Sequence, residues 1–270
     1  MTDPFFRQFF TPLQPTVKSD SGSVVYTELF PEFRLSKYIY CYWQLKSAYR
    51  LSTPFSYRVV PDACIDIFVD MNDTRESRVM GFSTGHTVFE LNYSFHYVGI
   101  RFLPSAFSYF FNVDASSLSN REESLDTVAP TLAKQLSELL EGQRQFGRIK
   151  IIFDGYFLKK ASAIESMVDK RLYDAIISVL KARGTINIQS DIDTGISPRQ
   201  LRRLFEFHIG GSPKIFSKIV RFQYFLQLLS SSDGQRFNQL LYEAGYYDQP
   251  HFTKDFKTFF GLTPKEALSR

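Results

Sequence analysis

Gly195-Ile196-Ser197-Pro198-Arg199-Gln200-Leu201-Arg202-Arg203-Leu204-Phe205 and, about 50 residues later, Gly245-Tyr246-Tyr247-Asp248-Gln249-Pro250-His251-Phe252-Thr253-Lys254-Asp255-Phe256 are two copies of one pattern. In each, a short segment ends at a glycine and a capped helix begins. Ser197 is a good N-cap, Pro198 occupies a first-turn position where a missing N–H costs nothing, and Gln200 can close a capping box. Leu201, Leu204, Phe205 and Ile209 then recur at helical spacing, while Arg199, Arg202 and Arg203 point elsewhere. In the second copy Asp248 takes the cap. Phe252, Phe256, Phe259 and Phe260 form the stripe, and Gly261 followed by Pro264 ends the helix.

Each copy therefore has the form of a helix-turn-helix, whose second helix enters the DNA major groove. The intervening stretch 213–229, PKIFSKIVRFQYFLQLL, predicts one long amphipathic helix that fixes the two units relative to each other. Two such helices on one rigid chain should enter groove segments one turn, about 34 Å, apart.

On those runs, with Gly211-Ser212-Pro213, Arg221-Phe222-Gln223 and Phe260-Gly261-Leu262-Thr263-Pro264, the last hundred or so residues resemble the DNA-binding domain of the AraC/XylS family of bacterial transcription regulators. Asp191 and Leu241 stand where that family usually has a small residue, and residues 186–194 carry weak helix periodicity. The first scaffold helix is thus expected to be short or shifted.

The candidate DNA contacts follow from position and chemistry. Arg199, Arg202 and Arg203 can pair with guanine, with Gln200 beside them; in the second helix Gln249 can read adenine, His251 and Thr253 can reach base edges or phosphate, and Lys254 suits phosphate. Outside such a motif, three arginines on a helix are usually a solvated face. The resemblance also brings Pro250 to the groove, where without an N–H it offers only van der Waals contact. Lys218 and Arg221 on the connecting helix fit either a phosphate clamp or an interhelical role.

Charge agrees with this placement. The chain carries +4 net, and residues 184–270 hold 11 Lys and Arg against 8 Asp and Glu. Phosphate neutralisation needs such an excess at the reading helices.

Upstream, residues 24–103 alternate as strands: VVYTELF, YIYCYWQL, FSYRVVPDACIDIFVD, RVMGFS, TVFEL and FHYVGIRFL, with no helix between them. That pattern predicts an antiparallel sandwich or small barrel rather than a doubly wound sheet. Residues 1–23 read as a loose arm. Beyond Pro104, SAFSYFFNV, SLDTVAPTLAKQLSELLEG and QFGRIKIIFDGYFLKK read as three helices, with Ala161–Asp169 as the linker and another helix over residues 170–183.

The runs from Arg58 to Ile67 and from Val98 to Ala106 are similar to the cupin-like sensor domain of one branch of the same family, with Ala63 and Ser105 where glycine is common. The expected fold class is α+β, with an N-terminal antiparallel cupin-like β-barrel and packed helices over 1–163. An all-α double helix-turn-helix domain follows over 169–270.

Arg58, Asp62, Asp66 and Arg101 are charges among apolar strands. They fit a structural salt bridge at a turn, a polar anchor for an effector in the barrel mouth, or an acid/base pair; no catalytic role is assigned to them. Cys41 and Cys64 make no disulfide framework and four scattered His make no metal site, so no metal or cofactor is expected. No run of 18 apolar residues occurs and MTDPFFRQFF lacks a leader pattern, which gives a cytoplasmic, non-membrane expectation.

The reading is a regulator rather than an enzyme. Its partners are promoter DNA, a small-molecule effector, RNA polymerase and a second copy. Two alternatives stand beside it: an enzyme fused to a DNA-targeting domain with Cys64 as acceptor thiol, and a dimerising DNA-binding protein without effector.

Overall fold

The computed structural model describes residues 5–18, 22–188, 190–231 and 237–268. Its strands are β1 (Val24–Leu29), β2 (Ile39–Ser47), β3 (Phe55–Val59), β4 (Ile65–Asp70), β5 (Ser77–Met80), β6 (Thr87–Leu91), β7 (His96–Phe102) and β8 (Glu122–Ser124). Its helices are α1 (Phe5–Phe9), α2 (Pro15–Lys18), α3 (Ala106–Phe111), α4 (Leu125–Val128), α5 (Pro130–Leu140), α6 (Phe146–Glu165), α7 (Lys170–Lys181), α8 (Pro198–Ile209), α9 (Pro213–Ser231), α10 (Phe237–Glu243), α11 (Gln249–Phe260) and α12 (Pro264–Leu268). Among the described residues the strands make an antiparallel sheet in the order β1-β2-β7-β4-β5-β8 and a separate β3-β6 ribbon. No ladder joins the two into a closed ring, so the expected barrel is an open one.

Strand β4 shows why the large sheet has two different faces. Ile65, Ile67 and Val69 are buried in a core with Phe107, Phe153 and Phe157 from the helices on that side. Asp66, Phe68 and Asp70 alternate onto the opposite face, towards Tyr57 and Phe89 of the ribbon. Gly99 of β7 permits this inner face to hold an indole, because a Cβ there would lie 2.2 Å from the Trp43 ring.

The structure corrects four expectations. Residues 5–14 are a packed segment rather than a loose arm. Phe6, Phe10 and Leu13 are buried, and Phe6 meets Tyr173 of α7 edge-on at 5.6 Å. The helix expected over 124–142 is two helices, broken at Ala129 because proline disfavours helical geometry in the residue before it. Helix α6 continues through Glu165, so most of the expected linker is helical. Finally, no helix is formed by the described residues of 186–194; Asp191 instead accepts from Asn187 N at 3.0 Å in a turn.

Ala63 and Ser105, the two positions where the resemblance calls for glycine, both have positive φ, 61° and 74°. A Cβ in the left-handed region costs roughly 1–2 kcal/mol, partly offset in the comparison with glycine by glycine's greater unfolded-state entropy. Ser105 makes no side-chain cap bond. Ser105→Gly is therefore expected to raise stability by about 0.5–1 kcal/mol. Urea unfolding checks it, and an unchanged or lower midpoint would count against strain at that site.

Candidate nucleic-acid interface and the cavity behind it

The first reading helix is built as the sequence predicts. Ser197 Oγ accepts from Gln200 N at 3.3 Å and Gln200 Oε1 accepts from Ser197 N at 3.0 Å, which completes the capping box. Gly210 ends α8 at φ 100°, and a Cβ there would meet Phe82 at 2.7 Å. Leu201, Phe205 and Ile209 are buried, and Phe205 meets Phe216 of α9 at 5.6 Å. Arg199, Gln200, Arg202 and Arg203 are left exposed at the opening of the helix. Arg202 donates to Glu206 one turn on at 2.7 Å. Arg203 and Gln200 line a cleft opposite Asp114 and Ser116, just after α3.

The second helix repeats the plan. Asp248 Oδ1 accepts from His251 N at 2.7 Å, and Gly261 ends α11 in the left-handed conformation. Phe252, Phe256 and Phe259 are buried against α9, with Phe222 and Phe225 on the facing side. Gln249, Pro250 and Lys254 are exposed, and His251 and Thr253 are half-buried.

Lys218 and Arg221 of α9 have partners outside their own helix. Lys218 Nζ donates to the buried Asp255 at 2.9 Å, and His251 Nε2 lies 3.5 Å from the same carboxylate. Arg221 donates to Gly184 O at 2.6 Å and lies over the Tyr246 ring at 5.6 Å. With Lys214 and Arg202 they line a groove between the two units.

In the N-terminal half, three of the four charges singled out come together and one does not. Arg101 is buried; it donates to Asp66 at 3.0 Å and lies 3.4 Å from Asp62 and 3.9 Å from Glu28. Asp62 precedes β4 rather than sharing the strand with Asp66, yet both reach the one guanidinium. Trp43 Nε1 donates to Asp66 at 3.0 Å. Burial pushes the Asp66 carboxyl up to about 6 despite the pull of Arg101, and the neighbouring Asp62 adds to the rise. Arg58 points away and donates to Phe260 O at 2.7 Å, at the end of α11. Sequence reasoning missed Gln14 and Gln223, whose role depends on partners distant in the chain. Gln14 Nε2 donates to Asp62 at 3.0 Å and to Val60 O at 2.9 Å. Gln223 of α9 accepts from Leu13 N at 2.7 Å and donates to Pro61 O at 2.8 Å.

Asp66 lies on the wall of a cavity of about 440 Å³ between the large sheet and the ribbon. Both cysteines are buried, and burial raises their thiols well above the ordinary value, the reverse of what an acceptor thiolate needs. Among the described residues there is no cluster able to hold a metal ion, and no helix is long and apolar enough to cross a membrane.

Two capped helices with exposed polar openings, cationic in α8, are braced by one long helix in the form of a paired helix-turn-helix. Comparison agrees: residues 193–270 match a family described as a helix-turn-helix domain, and residues 27–124 match one described as a domain of unknown function. An uncharacterized HTH-type transcriptional regulator of Haemophilus influenzae is 34% identical over 104 residues, which are 37% of this chain and 34% of that protein. The chain thus spans about a third of that relative's length. The crystal structure of ToxT from Vibrio cholerae O395 covers 92% of this chain and 97% of its own at 16% identity, with a TM-score of 0.38. An unsaturated-fatty-acid-bound ToxT from strain SCE256 covers 91% and 94% at 14% identity, with a TM-score of 0.39. The C-terminal part of the chain is a helix-turn-helix domain.

Proposed function

We propose that the protein is a cytoplasmic transcription regulator that binds promoter DNA through α8 and α11 and senses a small molecule in the cavity of its N-terminal half. The two functional units are residues 1–163 and 169–270. The observation that carries the reading is the doubled capped helix, with exposed arginines opening α8 and exposed Gln249 and Lys254 on α11. Arg199, Arg202 and Arg203, with Gln200, read bases or hold phosphate in one groove segment. Gln249, His251, Thr253 and Lys254 do so in the next. Lys218 and Arg221 act chiefly by holding α9 to its neighbours, and the groove they line lies where a phosphate backbone can pass. The cavity favours an effector over a barrel that only dimerises.

Regulation is linkage. A ligand changes DNA affinity only through its different affinities for two arrangements of the halves. The Pro61-Asp62 turn is suited to carry that difference, because Arg101 at the cavity, Gln14 and Gln223 of α9 all bind it.

The test is to incubate the full-length protein with fragmented genomic DNA at physiological salt and sequence what is retained. Two short motifs about 10 base pairs apart are expected; binding without any motif would overturn sequence-specific regulation. On a recovered site, Arg203→Ala is expected to cost about 1–3 kcal/mol at matched salt. Unchanged affinity and footprint would remove Arg203 from the reading face.

A further inference from the structure

The cavity between the sheets has a composition that selects among effector classes. Its walls are the rings of Trp43, Tyr57, Phe68, Phe89 and Tyr97. Its charged lining is mostly acidic: Asp66 is the inner carboxylate, Asp70, Glu76, Glu90 and Glu122 stand around it, and the cations are Arg78 and Arg101. Both guanidinium groups face carboxylates, although Arg101 Nη1 donates no hydrogen bond among the described residues. Arg101 holds Asp66 and Asp62, with Glu28 behind, and Arg78 lies 3.1 Å from Glu122 and 3.9 Å from Glu76.

An anionic ligand would enter among five carboxylates and meet two arginines that those carboxylates already face. A cationic ligand enters a field set by the excess carboxylates and meets π faces that attract positive charge. We propose that the cavity takes an organic cation with an apolar body, such as an aromatic amine or quaternary ammonium compound. This assignment rests on the effector reading above and adds its chemical class.

Trp43 is the chain's single tryptophan and lines the cavity, so its emission reports occupancy directly. The full-length protein is titrated with phenyltrimethylammonium, with tert-butylbenzene, which replaces the charged nitrogen by carbon, and with 4-phenylbutanoate. The thermal midpoint is read in parallel. The cation is expected to shift Trp43 emission saturably and to bind roughly tenfold tighter than either of the others. In an Asp70→Asn, Glu90→Gln double variant the cation is expected to weaken by roughly threefold or more while the neutral compound is unaffected.

Equal or tighter binding of the neutral or anionic compound, or an unchanged double variant, overturns the cationic class and leaves the effector reading intact. If none of the three moves either the emission or the midpoint at millimolar concentration, the cavity is not a ligand site and the effector reading falls with it. DNA binding measured on the same preparation separates both failures from loss of the regulator reading as a whole.

Discussion

Replacing Arg101 by Met is expected to destabilise the protein by about 3–5 kcal/mol at neutral pH, the cost of breaking a buried ion cluster from one side. Methionine fills much of the volume, so the loss is electrostatic. Asp66, Asp62 and Glu28 would share a buried site with no guanidinium between them. The pH dependence separates this from a packing defect. Asp66 already titrates near 6 because burial outweighs its pairing, and removing the cation raises it further. A carboxyl with a folded-state value above its unfolded one prefers to be protonated in the fold. Its penalty is therefore absent below the unfolded value, near 4, and grows as pH rises through the folded value. The deficit of the variant should thus be largest at pH 7.5 and clearly smaller at pH 5. Urea unfolding at the two values measures it, and a deficit independent of pH would assign the loss to packing instead.

The same cluster marks where the sequence is legible and where it is not. Asp62, Asp66 and Arg101 stand out because charges among alternating apolar residues need partners. Asp66 and Arg101 meet on one inner face because they are paired across β4 and β7, while Asp62 reaches the same guanidinium from the turn before β4. Arg58 carries the same signal in the sequence and goes elsewhere, because its acceptor, Phe260 O, lies 202 residues away. Local signals carry further. The Ser197 box, the Asp248 cap and the helix-ending Gly261 all involve neighbours in the chain. Each is in place as read.

Elements without local signals went unseen. Strand β8 is three polar residues, Glu122, Glu123 and Ser124, placed by pairing with β5 rather than by any propensity. The apolar residues of the N-terminal segment are plain in sequence, but nothing near them tells that α7 and α9 will cover them. The break at Ala129, by contrast, was readable from Pro130.

The N-terminal segment also ties the two halves together. Leu13 is bonded through its backbone to Gln223, and Thr11 O accepts from Gln227, so α9 is anchored to the segment that also holds Asp62 through Gln14. Helix α8 is held from the same half: Ser108 Oγ donates to Phe207 O at 3.1 Å and Tyr109 stacks on His208 at 4.4 Å. Burial lowers the His208 imidazole below its ordinary value. Helices α8 and α9 are thus positioned by contacts that cross between the halves, which any DNA-bound arrangement must keep or exchange.

Phe225→Ala is expected to disable the second reading unit while sparing the first. Phe225 is fully buried, with its ring 5.6 Å from Phe237 of α10, 4.6 Å from Phe252 and 6.2 Å from Phe256 of α11. It is the side chain of α9 on which the scaffold helix and the reading helix of that unit converge. Truncation to alanine costs about 3–5 kcal/mol, depending on how far the site can collapse. Helix α8 does not use this contact; its stripe packs on α9 through Phe205 and Phe216, about two and a half turns away. The expected result, at a temperature where the circular dichroism of the variant is native, is a footprint reduced to the half-site read by α8. Scrambling the other half-site should then weaken wild-type binding and leave the variant indifferent. A full-length footprint in the variant, with the same penalty for scrambling either half, would mean that α11 keeps its reading position without Phe225, and the claim that this ring sets the position would be wrong.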